Sequence, residues 1–257
     1  MGMRYGLDDP RVIAQSHVVD RLHTVKVPMN KIVLGLSGGM DSATLLGLFL
    51  HENLEVHCCS FEYGSTHGLY ETKAMNAILA HYEKKFPNKI KHHPIDIKNI
   101  MSGFSSSLLI NNEKEIPEGF YNDDNMKKTV VPGRNLIFAS ILAGIAESIG
   151  ATKISLGIHS GDHHIYPDCR PEFVKALDSV IYLSTDKKVE VISPFLYLDK
   201  ASILKIGYSL KEPVPYHLTR TCYKNQENSC GKCGSCLERL EAFKIIGIKD
   251  PIKYEVD

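Results

Sequence analysis

The stretch Lys31-Ile-Val-Leu-Gly-Leu-Ser-Gly-Gly-Met-Asp-Ser42 decides the fold. Its first half is a short apolar run, the pattern of a parallel strand covered on both faces. Its second half turns on two glycines, and Ala43 to His51 reads as a helix. A strand that ends in such a turn and feeds a helix gathers free backbone amides, and about half a positive charge, at one spot. Gly38 and Gly39 permit angles and close approach that a Cβ would block. Ser37 and Ser42 add hydroxyl donors, so a pyrophosphate-like anion is the natural occupant.

Outward from this unit, apolar runs keep alternating with helical patterns. Glu55 to Phe61 and Lys89 to Ile97 read as strands, and Leu69 to Phe86 as a helix whose stripe is Met75, Ile78, Leu79, Tyr82 and Phe86. Asn135 to Ser148 is apolar nearly all round and is expected to be deeply buried. Lys153 to Ile158 and Lys188 to Ile192 are the next expected strands, with a helix from Pro171 to Ile181. A last helix runs from Asp199 to Leu210, with Asp199 as its N-cap. The alternation predicts an α/β fold with a doubly wound parallel sheet, whose ligands sit beyond the carboxyl ends of the strands. The polar segment 98–130 has no period and reads as a functional or mobile loop. Three regions follow: an N-terminal extension 1–30, a nucleotide-binding catalytic domain 31–215, and a metal-binding C-terminal element 216–257.

The 257 residues suffice for one large domain with a small accessory element, not for two catalytic domains. Thirty basic residues balance thirty acidic ones, so no global positive field draws nucleic acid or a membrane surface. No apolar run approaches the roughly 20 residues that span a bilayer, and the start of the chain lacks a signal-peptide core. The expectation is a cytoplasmic protein with no membrane partner and no direct nucleic-acid contact.

Cys222, Cys230, Cys233 and Cys236 follow the spacing C-x7-C-x2-C-x2-C. Thiolates two residues apart converge across a tight turn, and Gly231 and Gly234 suit such turns. Four thiolates make a closed tetrahedral site, for which structural zinc is favoured over an iron–sulfur cluster. Zinc at such sites contributes about 10–16 kcal/mol, enough to order a loop with little core. Cys58 and Cys59 lie in an expected strand and read as core. Two further segments are rich in recognition groups: Val131-Pro-Gly-Arg-Asn135, and Tyr166-Pro-Asp-Cys-Arg-Pro-Glu-Phe173 with Gly157-Ile-His-Ser-Gly-Asp162 before it. Arg134 either neutralises a phosphate or caps a helix start. His163 and His164 read as solvated rather than as proton carriers. No Walker-type Gly-x-x-x-x-Gly-Lys-Ser/Thr is present, so γ-phosphoryl transfer is not supported.

The Ser37–Ser42 segment resembles the SGGxDS loop of the ATP pyrophosphatase superfamily, whose members cleave ATP between the α and β phosphates. Its combination with Phe61-Glu-Tyr-Gly64, His67, the Val131 and Tyr166 segments, Cys222-Tyr223 and the cysteines running on to Glu238-Arg239 resembles the QueC family from Lys31 to Phe243. Ser65-Thr66 stand where that family usually has Gln and a basic residue. The resemblance implies an adenine-nucleotide α-hydrolase-like fold, a homodimer and a four-cysteine zinc site. It also implies ATP-dependent conversion of 7-carboxy-7-deazaguanine and ammonia to the nitrile 7-cyano-7-deazaguanine (preQ0). Residue by residue, it assigns the nucleotide to Leu36, Ser37, Gly38, Gly39, Met40, Asp41, Ser42 and Arg134. Asp41 either orders the loop or holds Mg²⁺. The deazaguanine falls to Asp162, Asp168 and Arg170, and catalysis to Ser37, Asp41, Asp162 and Arg170. A nucleophilic Cys169 is not needed by an adenylation route. Two other readings stay open: a tRNA-modifying thiolase or amidotransferase on the same fold, and a QueC-like module that binds nucleotide or deazaguanine without turnover.

Overall fold

The structure, a computed structural model, describes residues 31–110, 115–120, 127–159 and 166–255. The extension 1–30 and the residues Asp162, His163 and His164 lie outside the described residues. Five strands form one parallel sheet: β1 (Lys31–Gly35), β2 (Glu55–Glu62), β3 (Ile90–Asp96), β4 (Lys153–Ser155) and β5 (Glu190–Ile192), in the order β3-β2-β1-β4-β5. The chain winds outward from β1 to β3, then returns to place β4 on the other side of β1, with Val33 paired to Ile154. The order therefore reverses at the carboxyl ends of β1 and β4, where such sheets open a crevice.

Helices cover both faces. On one lie α1 (Met40–His51), α2 (Gly68–Lys85), α6 (Lys200–Ser209) and α7 (Gly234–Ile246); α3 (Lys98–Met101) is a single turn. Ile32, Leu34, Val56 and Cys58 of the sheet pack there with Leu46, Phe49, Ile78, Tyr82 and Leu204. The C-terminal element shares this core through Tyr216, Ala242 and Phe243. On the opposite face α4 (Arg134–Ile149) and α5 (Pro171–Ser184) cover Val33, Cys59, Ile154 and Val191. Asp199 caps α6 as expected, accepting from the Ser202 amide at 2.6 Å.

Three expectations change. Helix α4 is not buried all round: Ala139, Leu142, Ala143 and Ala146 face the sheet, while Leu136 is 45 % exposed. Small alanines let the helix approach the sheet closely, but a two-layer contact covers only one side of it. The stretch 127–149 is long and apolar enough to cross a membrane by length and composition, and its large apolar side chains pack into cores on two sides: Leu142, Ile145 and Ile149 at the sheet, Ile137 and Ile141 beside Tyr63 and Val131. The segment 98–130 is not structureless where it is described. Met101, Leu108 and Leu109 make a third small core with Tyr63, Ile97 and Val131; beside it the Thr66 amide donates to Leu108 O at 2.8 Å and the Ile110 amide to Gly64 O at 2.9 Å. Helix α7 is an addition to the expected elements: the metal-ligand spacing through Gly234-Ser-Cys236 masks its first turn.

Candidate nucleotide site and metal centre

The loop after β1 sits at the reversal point. Leu36 is tied by its amide to Cys59 O at 2.8 Å, and Met40 begins α1 with its side chain in the core. Gly38 has φ +84°, and a Cβ there would stand 2.7 Å from the Glu71 carbonyl and 2.9 Å from the Met75 amide nitrogen. Only glycine fits. Ser37 Oγ accepts from the Gly39 amide at 3.2 Å and lies 3.1 Å from Ser42 Oγ, so the two hydroxyls and the start of α1 share one concave surface. Gly157, after β4, must also be small: its Cβ would come within 3.1 Å of the Ser42 amide. A cavity of about 540 Å³ opens over this loop. Among the expected nucleotide residues Leu36, Ser37, Gly39, Met40, Asp41, Ser42 and Arg134 line it, while Gly38 lies just behind.

Several ionisable residues that the motifs gave no role also reach the cavity, Lys200, Glu238, His159 and Glu71 among them. Lys200, at the start of α6, is 8 % exposed; its Nζ lies 2.7 Å from Glu238 Oε2 and 3.5 Å from Asp41 Oδ2. Burial disfavours its charge, but Asp41 and Glu238 outweigh that and hold its pKa above the ordinary lysine value. His159 Nε2 stands 3.7 Å from the same Asp41 oxygen. Asp41 Oδ1 is buried without a hydrogen-bond partner among the described residues. At the far wall Glu71 pairs with His67 at 3.3 Å. Burial raises the Glu71 carboxyl, yet His67 and Arg134 outweigh it and keep it below the ordinary range. Arg134 stays cationic although burial opposes its charge, with the Asp168 carboxylate acting on it, and burial pushes the Tyr63 hydroxyl up to about 12, so that phenol is neutral beside it.

The other expected substrate residues divide. Asp168 Oδ2 accepts from the Asn135 amide at 3.2 Å, tying the Tyr166 turn to the start of α4. Arg170 forms the N-cap of α5. Neither lines the cavity, whereas Tyr166 and Cys169 do. Burial pushes the Cys169 thiol up to about 12, so it is not a thiolate near neutrality. Cys58 and Cys59 are fully buried core, as expected.

The four cysteines converge. Cys222, Cys230, Cys233 and Cys236 are all buried, with their sulfurs within 4.8 Å of one another. Cys222 Sγ accepts from the amides of Lys224 and Cys230, and Cys230 Sγ from those of Lys232 and Cys233, at 3.3–3.4 Å. Such N–H donors stabilise thiolate charge. Gly231, at φ +69°, makes the turn between the two pairs. Four soft donors without carboxylate or imidazole suit a tetrahedral metal centre.

This centre is wired to the loop. The Arg220 amide donates to Gly38 O at 2.9 Å, and its guanidinium holds the carbonyls of Lys224, Gln226 and Glu227 at 2.7–2.9 Å. Tyr223, next to Cys222, packs its ring against His67 and reaches Tyr166 OH at 3.5 Å. Beneath them buried Arg239 binds Asp250 through two nitrogens at 2.7 and 2.9 Å, and also Thr219 Oγ1 and Tyr216 O.

A parallel sheet whose reversal point carries a serine–glycine loop, at the head of a helix and beside a four-cysteine cluster able to hold a metal, defines an α/β nucleotide-binding enzyme of the pyrophosphate-loop class. The family model described as "Queuosine biosynthesis protein QueC" matches residues 31–247. Proteins named 7-cyano-7-deazaguanine synthase are similar along most of their length. One from Marinomonas sp. (strain MWYL1) is 46% identical over 225 residues, covering 88% of this chain and 98% of its own. One from Caldicellulosiruptor saccharolyticus is 44% identical over 229 residues, covering 88% and 96%. The chain belongs to the QueC family. Among solved structures, an NMN synthetase from Francisella tularensis aligns with a TM-score of 0.48 at 14% identity, covering 94% of this chain and 88% of that one. A 4-thiouridine synthetase in complex with RNA and ATP aligns at 0.43 and 20% identity, covering 82% and 49%.

Proposed function

We propose that this protein makes 7-cyano-7-deazaguanine from 7-carboxy-7-deazaguanine, ammonia and ATP. The observation that carries the reading is the Ser37–Ser42 loop at the sheet's reversal point, in a chain nearly half identical to synthases of that name. A carboxylate resists ammonia because oxide is a poor leaving group. Its oxygen therefore attacks the α-phosphate of ATP, and the departing pyrophosphate is received by the Gly39 amide, the first turn of α1, Ser37 and Ser42. Ammonia adds to the acyl adenylate and AMP leaves, giving the amide. A second ATP adenylates the amide oxygen, and loss of AMP and a proton gives the nitrile. Each nitrile thus releases two AMP and two pyrophosphate.

Arg134 stands ready for negative charge at the wall opposite Lys200. Asp162, Asp168 and Arg170 are the candidate readers of the base, the last two acting through the Tyr166 turn beside which they sit. The Asp41 Oδ1 atom suits a Mg²⁺ brought with ATP, which when bound supplies charge neutralisation at the phosphates. Zinc suits the four sulfurs in a structural role, since no ligand position is left open. Ammonia comes from solution. A homodimer is part of this reading, supported by Leu136, Val180 and Leu183, which are exposed on the adjacent helices α4 and α5. So is a cytoplasmic location, which keeps thiolates reduced.

The test is an incubation with 7-carboxy-7-deazaguanine, ammonium, Mg²⁺ and ATP, followed by mass spectrometry of the base. Amide then nitrile, with two AMP per nitrile, is expected. AMP without nitrile would move the substrate to another acid, and no AMP at all would leave a binding module.

A further inference from the structure

The far wall of the cavity carries a carboxylate that the adenylation chemistry does not use. Glu71 stands in the first turn of α2 and lines the cavity, and its side chain keeps 23 % exposure. His67 Nε2 lies 3.3 Å from its Oε1, and Ser65 Oγ donates to its Oε2 at 3.2 Å. An ionised carboxylate accepts about four hydrogen bonds, two on each oxygen. Each Glu71 oxygen thus holds one partner among the described residues and keeps one acceptor site for a ligand. Burial opposes the charge, but His67 and Arg134 outweigh burial, so the group is an anion near neutrality.

Two parallel acceptors on one carboxylate match a ligand edge that carries two adjacent N–H donors. A phosphate has no such edge and is repelled by the charge. Adenine offers its amino group but sets the N1 lone pair beside it. A guanine-type ring offers N1–H and the 2-amino group side by side. In 7-carboxy-7-deazaguanine this edge and the carboxylate stand at opposite ends of the bicycle, so a base docked on Glu71 turns its reacting oxygen away from that wall. Tyr166 and Tyr223 line the same cavity and supply aromatic faces.

We infer that Glu71 determines specificity for the base: its two oxygens accept from N1–H and the 2-amino group of the deazaguanine, while Ser65 and His67 fix the carboxylate's orientation. The assignment rests on the proposed reaction for the identity of the base. Unlike Asp168 and Arg170, Glu71 lines the cavity itself.

The experiment compares 7-carboxy-7-deazaguanine with 7-carboxy-7-deazahypoxanthine, which lacks only the 2-amino group, in the wild type and in Glu71→Gln. Calorimetric binding is read alongside KM and kcat for each acid and KM for ATP. The wild type should bind the analogue on the order of 100-fold more weakly, because a charged acceptor is left without its donor. Glu71→Gln should bind the guanine-type acid on the order of 100-fold more weakly than the wild type does, and its preference between the acids should shrink to about tenfold or less. KM for ATP should not change. Equal binding of the two acids by the wild type, or a preference that survives in Glu71→Gln, would overturn the inference. So would a rise in KM for ATP that matches the rise for the acid, the pattern of a residue that only shapes the site. Should Glu71→Gln be too unstable to purify, Glu71→Asp keeps the charge but draws the oxygens back, and the same loss of preference is expected. Preferential binding of the guanine-type acid without AMP would sink the proposed reaction and leave this assignment standing; AMP and nitrile without the preference would do the reverse.

Discussion

The loop at the head of α1 and the four-cysteine centre hold their shapes by different means. The loop is made of backbone: Gly38, which tolerates no Cβ, amides, and two serine hydroxyls, all seated on a sheet with apolar cores on both faces. The cysteine centre has almost no apolar core of its own; its local cluster is the four sulfurs with Ile116, Tyr223 and Tyr254 at their edge. The first region is fixed by packing before any ligand arrives. The second is a cluster of four sulfurs able to hold a metal, and on the proposed reading the metal is what holds it together. Arg220 and Tyr223 span the two, so the cysteine region finishes a wall of the loop's cavity.

The sharpest way to break this comparison is to remove the metal. Chelation, or Cys230→Ser, should cost the order of the cysteine region, with up to about 10–16 kcal/mol of metal-linked folding energy at stake there. Hydrogen exchange should rise across 219–236 while β1, β2 and α1 stay protected, and nucleotide affinity should fall as Arg220 releases Gly38. Full affinity in the metal-free protein would show the regions to be independent. Next in size, Gly38→Ala should lower turnover on the order of 100-fold, because a Cβ meets backbone and displaces the amides that face the leaving group. Metal content should be unchanged, which separates loop from centre.

A smaller effect concerns the far wall. The Glu71 carboxyl is held below its ordinary 4.5 by His67 and Arg134, so the folded state binds fewer protons there than the unfolded. Its stabilisation is full above about pH 4.5 and is lost as pH falls through the folded value. Urea melts on the acid side should show a shallower pH dependence in Glu71→Gln than in the wild type, and an identical slope would contradict the pairing. Smallest is Cys169→Ala. With the thiol pushed up to about 12 and no step for a thiolate, AMP and nitrile formation should stay within about twofold, whereas a loss beyond tenfold would revive a covalent route.

Much of this was legible in the chain. Lys31 to Ser42 dictated strand, turn and helix locally, and the parallel strands announced themselves by apolar runs between helices. The cysteines were legible because metal ligation needs few residues at close spacing. What sequence missed was assembled at long range. Lys200 and Glu71 belong to no motif, and His159 and Glu238 stand in quoted segments without a role; they come from α6, α2, the segment after β4 and α7, and only the sheet order brings them to one cavity. The one local hint was Asp199, whose capping role marks the turn that presents Lys200. Helix α4 misled for a different reason: Leu136, Phe138, Ile141, Leu142 and Ile145 spread around the helix, yet of these only Leu142 is fully buried, Ala139, Ala143 and Ala146 fill the rest of the sheet-facing side, and Leu136 is left exposed.

The central claim is that substrate oxygen attacks the α-phosphate. It is tested most directly with 7-carboxy-7-deazaguanine carrying ¹⁸O in both carboxylate oxygens, incubated with ammonium, Mg²⁺ and ATP. The account predicts one labelled oxygen in each of the two AMP molecules released per nitrile, and none in pyrophosphate. Unlabelled AMP, or label in inorganic phosphate alongside ADP, would contradict it.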